Sequence, residues 1–196
     1  MPENKIKYGI CNAYYAPIST SEDGSVTYGT PVAIPGAKSI SLSAKGNTNT
    51  FYADNIAYFT TTSNAGYEGD FECATIPDSF RKDILGEKTD KNGLMVEFSD
   101  SKAKEFAFLF QFEGDIHGKR SCFYRCTATR PDVSGDSVEE TITPQTEKIK
   151  ITAMPVIGTN IVKSSIPDTT ETKSVYANWF KSVKLPDFTE SESGMS

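Results

Sequence analysis

Apolar and polar positions alternate through most of this chain. In FAFLFQF, Phe106, Phe108, Phe110 and Phe112 recur at every second residue, so in a strand all four rings point to one face. Beyond the turn EGDIHGK, the segment SCFYRCTAT predicts Cys122, Tyr124, Cys126 and Ala128 on one face and Phe123, Arg125 and Thr127 on the other. The two strands are expected to pair as a hairpin around the main core. KSISLSAKG sets Ile40 and Leu42 against Ser39, Ser41 and Ser43, and EKIKITA sets Ile149, Ile151 and Ala153 against lysine and threonine. Nearer the N-terminus, Lys5 to Tyr15 reads as a first strand, and SEDGS (Ser21 to Ser25) reads as a turn before VTYGTPVAI.

One segment breaks the two-residue period. TIPDSFRKDILGEK places Phe80, Ile84 and Leu85 at i, i+4 and i+5, with Arg81, Lys82 and Asp83 facing away. Pro77 suits an opening turn because its φ is preset and it has no amide hydrogen to leave unbonded. Asp78 puts negative charge at the positive helix end, and Gly86 can adopt the left-handed stop. A helix over Asp78 to Leu85 is too short to be stable alone, so it must pack its stripe on something larger. A Phe-rich sheet face likewise needs a second layer. The expected fold is therefore mainly β, a β-sandwich or barrel with one short flanking α-helix. Residues 1–154 are expected to form this β domain.

After Pro155 the alternation fades. The next stretch has scattered apolar residues, Pro-punctuated joints and the sole tryptophan, Trp179, beside Phe180. Residues 155–189 therefore read as a C-terminal arm that docks, either on its own domain or on a neighbour. The acidic end, residues 190–196, reads as a disordered tail.

Charge narrows the function classes. The 196-residue chain carries a net charge of -6, which argues against a protein that grips nucleic acid through its phosphates. The start, MPENKIKYGICNAYY, lacks the apolar core of a signal peptide, and no window holds eighteen consecutive apolar residues. Synthesis in the cytosol, no membrane binding and reduced thiols at Cys11, Cys73, Cys122 and Cys126 are the corresponding expectations. Cys122 and Cys126 with His117, the only histidine, fall short of a zinc pattern, and no metal or cofactor is expected. His117 lies in a predicted turn with no nucleophile singled out by spacing, so no catalytic residue and no enzyme activity are expected.

Two patterns point to surfaces instead. In YEGDFEC, Glu68, Asp70 and Glu72 line one strand face at spacings of roughly 6.6 Å, while Phe71 and Cys73 point to the other. That stripe is either an ordinary solvated face or the wall of a channel through which a polyanion passes without sticking. PDVSGDSVEETITPQTE, with Asp132, Asp136, Glu139, Glu140 and Glu147, is similarly either solvent-facing or repulsive. GNTNTFYADNIAYFTTTSNAG places Phe51, Tyr52, Tyr58 and Phe59 around a polar tip. Such a hairpin either packs on its own sheet or reaches a neighbouring subunit.

The ordered runs KIKYGICNAYYAPIS, VTYGTPVAIPGAKSISL, FYADNIAYF, NAGYEGDFECATIPDSFRKDILG, KEFAFLFQFEGDIHGKRSCFYRCTATRP and EETITPQTEKIKITA resemble the major tail protein family of siphophages, whose long tails do not contract. The resemblance covers Lys5 to Ala153. It implies a structural virion protein, a tail tube subunit that self-assembles into stacked hexameric rings around a DNA-conducting bore. It also implies a tape-measure protein, a tail tip and a tail terminator as partners, transient non-specific passage of viral DNA, and residence in the virion tail after synthesis in the host bacterial cytoplasm. Glu68, Asp70 and Glu72 become lumen-lining candidates. Phe51, Tyr52, Tyr58, Phe59, Trp179 and Phe180 become intersubunit-contact candidates. The rival reading is a monomeric β-sandwich module that binds carbohydrate or a receptor through exposed aromatics such as Tyr52, Tyr58 and Trp179.

Overall fold

The computed structural model describes residue 6 and residues 8–21, 25–114, 117–137 and 144–188. Most of the SEDGS turn, the acidic positions Glu139 and Glu140, and the tail 190–196 lie outside the described residues. Among the described residues thirteen strands, two short α-helices and one π-helical turn follow in order: β1 (Tyr8–Thr20), β2 (Val26–Tyr28), β3 (Val32–Ile34), β4 (Ala37–Lys45), β5 (Thr48–Ala53), β6 (Ile56–Thr62), β7 (Gly66–Cys73), α1 (Asp78–Phe80), the π-helical turn (Arg81–Leu85), β8 (Lys88–Thr89), β9 (Met95–Val96), β10 (Phe106–Glu113), β11 (Arg120–Ala128), β12 (Glu147–Ala153), β13 (Lys163–Ile166) and α2 (Lys173–Ala177). The protein is mainly β, as the alternation predicts.

Nine strands form one antiparallel sheet in the order β2-β1-β10-β11-β12-β7-β4, with β3 on β1 and β13 on β11. The chain itself joins the two ends of the sheet. Ile34 of β3 still faces Ala13 of β1, and Ala37 of β4 already faces Cys73 of β7, so only Pro35 and Gly36 carry the chain from one end of the sheet to the other. Gly36 turns this corner at φ +74°, and a Cβ there would sit 2.8 Å from the Ala74 methyl.

The inner face of the rolled sheet is the main core. Phe106, Phe108 and Phe110 point inward from β10, as their spacing predicts, and meet Tyr15, Phe71, Ile149 and Ile151. Phe71 packs edge-on to Phe108 at 5.1 Å, the arrangement that aromatic quadrupoles favour. Helix α1 runs directly into a π-helical turn, Arg81–Leu85, and buries Phe80, Ile84 and Leu85 over one end of this core. The turn closes with the Gly86 amide donating to the Arg81 carbonyl, an i→i+5 bond, with Gly86 at φ +80°. Ile84 and Leu85 point inward with Phe80, the stripe that their i, i+4 and i+5 spacing predicts. The opposite face of the helix is polar yet engaged. Tyr15 donates to Asp83 at 2.8 Å, and Arg81 pairs with Glu147 at 2.6 Å and with Glu87 at 3.5 Å.

Strict alternation fails in β11. Phe106 faces Cys126 but Phe108 faces Phe123, so β11 holds one extra residue in a bulge. Phe123, Cys126 and Ala128 therefore all join the main core, and Cys122 and Tyr124 turn outward. The expectation of Cys122, Tyr124, Cys126 and Ala128 on one face is corrected accordingly.

Those outward residues build a second core. Ala16, Ala107, Leu109, Cys122 and Tyr124 are covered by Val156 and Trp179 from the C-terminal arm. The arm docks on its own domain: β13 adds to the edge of β11, and Phe180 stacks on Tyr14 at 4.7 Å. Arg120 lies against Tyr176 and Phe180, at 3.8 and 4.7 Å from the ring centres, and Tyr124 hydrogen-bonds Ser164 at 2.7 Å and the Lys184 carbonyl at 2.6 Å. Helix α2 was not legible in the sequence, because its five residues present no buried stripe.

Candidate assembly surfaces

The first surface is a ribbon. The register sums of β4 with β7 and of β5 with β6 differ by one residue, and backbone bonds from Ser63 to Asn47 and from Ala65 to Lys45 bridge the step. The segments β4–β5 and β6–β7 are thus one long hairpin. Its proximal half belongs to the rolled sheet, and its distal half forms a separate two-stranded sheet, with β5 some 20 Å long at strand rise. Asp54 and Asn55 turn the tip at φ +52° and +62°, the paired left-handed conformation of a tight two-residue hairpin, which these two residue types tolerate best.

No core residue lies on the distal half. Phe51, Tyr52, Ile56, Tyr58 and Phe59 are each 60–71% exposed. Phe51 and Phe59 face each other across the ribbon, while Thr48 with Thr62 and Thr50 with Thr60 form hydroxyl pairs at 3.3 Å on the other side. Of the two alternatives open in the sequence, packing on its own sheet or reaching a neighbouring subunit, the first does not describe these aromatics, which lie outside the core.

The second surface is the outer face of β4, β7 and β12. Glu68, Asp70 and Glu72 share this face, with Phe71 and Cys73 fully buried behind them. Cross-strand register sets Ser39, Ser41 and Ser43 on one side and Lys148, Lys150 and Thr152 on the other. The carboxylates are not left to repel one another. Glu68 pairs with Lys45 and with Lys150, the latter at 2.7 Å, and Glu72 pairs with Lys38 at 2.7 Å. Hydrogen bonds from Lys38 and Thr146 hold the Glu72 carboxyl down at about 2. Asp70 has no ion-pair partner among the described residues. The face is a ladder of hydroxyls and charges, in which Glu68 and Glu72 are paired and Asp70 and Lys148 form no ion pair with a described residue. Sequence reading found its acids and missed their partners, since Lys38 and Lys45 lie on another strand. Glu147, from the acidic segment, is likewise paired to Arg81 and accepts from the Ile76 amide.

The remaining candidates are engaged within the chain. Trp179 is 4% exposed in the second core, and Phe180 lies between Tyr14 and Arg120. Cys73, Cys122 and Cys126 are buried, and burial pushes the Cys73 thiol up to about 11. Among the described residues, no group of three or more His, Cys, Asp or Glu side chains is placed to hold a metal ion.

A family model described as phage tail tube protein matches residues 2–119. That span holds the long hairpin, the helix and β10. No curated protein matches the chain.

Proposed function

The chain belongs to the phage tail tube protein family, and from that premise we propose that it is the major tube subunit of a siphophage tail, closing into hexameric rings that stack around a bore for DNA. One observation carries the reading. Five large apolar side chains stand exposed on a ribbon about 20 Å long, a surface whose burial needs another molecule. A second copy of the chain is the partner a tube requires. The ribbon residues Phe51, Tyr52, Tyr58 and Phe59 are assigned to intersubunit contact. Heterologous contacts of this kind close into rings or propagate into tubes.

The lumen is assigned to the outer face of β4, β7 and β12. Its chemistry suits DNA transit in a way that differs from simple repulsion. Three of the lysines that would hold phosphate, Lys38, Lys45 and Lys150, are paired to Glu68 or Glu72, the serines beside the acids are uncharged, and the charge of Asp70 offsets that of Lys148, so the wall has little net cationic charge with which to grip a passing strand. Tape-measure, tip and terminator proteins would meet the finished tube at its ends.

Electron microscopy of the purified protein on concentration tests the reading. Rings or tubes with an open bore are expected, and a protein that remains monomeric at high concentration would remove the basis for it.

A further inference from the structure

The molecule has two unlike ends. The ribbon continues β4 and β7 beyond Lys45 and Gly66, whereas α1 follows the other end of β7, past Cys73, so roughly 26 Å of strand separates them. At the helix end lies a cleft of about 620 Å³. It is lined by Lys82, Lys88, Lys102 and Lys104, by the ring of Phe98, and by the carboxylates Glu87 and Asp100. Glu87 is 8% exposed and turned to Arg81. None of the four lysines forms an ion pair with a described carboxylate, in contrast to Lys38, Lys45 and Lys150 on the sheet face. The cleft is therefore a cationic recess with an exposed aromatic wall: Phe98 is 46% exposed, with Lys88 5.6 Å from its ring centre.

The ribbon at the far end has the complementary character. Between Thr48 and Thr62 the only charged residue is Asp54, at the tip, and it is flanked by Tyr52 and Ile56. An acidic point with apolar shoulders faces away from one end of the molecule, and a basic recess with an apolar wall opens at the other. Copies stacked head to tail would bring the two together.

We propose that the lysine-lined cleft is the seat for the ribbon tip of the next copy of this chain, with the Asp54 carboxylate entering among Lys82, Lys88, Lys102 and Lys104 and the apolar shoulders packing on Phe98. The inference rests on the stacking proposed above and adds the receptor to it. Opposite charge at the seat sets register and selects head-to-tail over head-to-head contact. Because tip and seat lie on different surfaces, the contact is heterologous and can repeat without limit along an axis.

Charge exchange tests it in the full-length protein. Asp54→Lys alone, and Lys88→Glu with Lys102→Glu alone, should each lower the fraction of protein that sediments as tubes by on the order of tenfold, and combining them should restore most of it. All three positions are exposed, and unchanged thermal unfolding of each variant confirms that the fold is intact. Cysteine pairing provides the second measurement. Asn55→Cys with Lys102→Cys should give an oxidised ladder of covalent multimers on a non-reducing gel, beyond what either single variant gives. Asn55→Cys with Lys163→Cys, which samples the ribbon end of the sheet, should give none. Tubes that form without the first ladder, or with the second in its place, overturn the seat and leave the tube subunit reading standing. Failure of the unaltered protein to assemble under any condition overturns both.

Discussion

At the residue scale, burial and pairing separate side chains that look alike in the sequence. Trp179 and Tyr58 are both aromatics in polar surroundings, yet Trp179 is 4% exposed and Tyr58 71%. Trp179→Ala removes the largest cover of the second core and is expected to cost about 3–5 kcal/mol in urea unfolding. Glu72 carries a pH signature. Its folded value of about 2 lies below the ordinary glutamate value of 4.5, so its contribution is complete above 4.5 and is lost as pH falls towards 2. Glu72→Gln should therefore melt below the unaltered protein at pH 5 to 7, and the gap should close between pH 4.5 and 2; a gap independent of pH would contradict the pairing with Lys38 and Thr146. The acids of this stripe were legible because a strand puts every second residue on one face. Their lysine partners on β4 were not, since pairing is a property of neighbouring strands.

At the scale of elements, the long hairpin is the clearest case of one segment with two environments. Its proximal half contributes Phe71 and Ile40 to the core, and its distal half contributes nothing. Phe51→Ser with Phe59→Ser is expected to change stability by less than about 0.5 kcal/mol, because both rings are solvent-exposed in the free subunit. The same variant should fail to form tubes by electron microscopy. On the adjoining face, Asp70→Lys adds an unpaired cation beside Lys150 without breaking an ion pair of the described residues. Tubes should assemble, while DNA release from phage carrying the variant should slow; unaltered release would place this face away from the bore. The helix from Asp78 to Leu85 was legible through Pro77, Asp78, Gly86 and its apolar stripe. Its wide last turn was not, because α and π turns differ in which carbonyl accepts the hydrogen bond rather than in composition.

At the scale of the whole molecule, the C-terminal arm is a structural layer. Truncation after Ala153 removes β13, Trp179 and Phe180 and uncovers Ala107, Leu109 and Tyr124. The truncated chain is expected to aggregate or to lose cooperative unfolding, as followed by gel filtration and thermal circular dichroism; a stable monomer would show that the arm is dispensable to the subunit. What residue order alone decides here is local and periodic. Alternation specified the strands and the inward Phe face of β10, capping residues specified the helix, and the ordered motifs carried the family. Contacts between distant segments decide the rest. The bulge in β11 shows up only as a shift in register against β10. The link between the two ends of the sheet through Pro35 and Gly36 depends on which strands β3 and β4 each pair with. The arm lies on its own sheet because β10 is apolar on both faces, with Ala107 and Leu109 opposite the phenylalanines, so a second layer was required on the outside as well. Periodicity sets the face on which a side chain lies, and only the folded chain determines what that face meets.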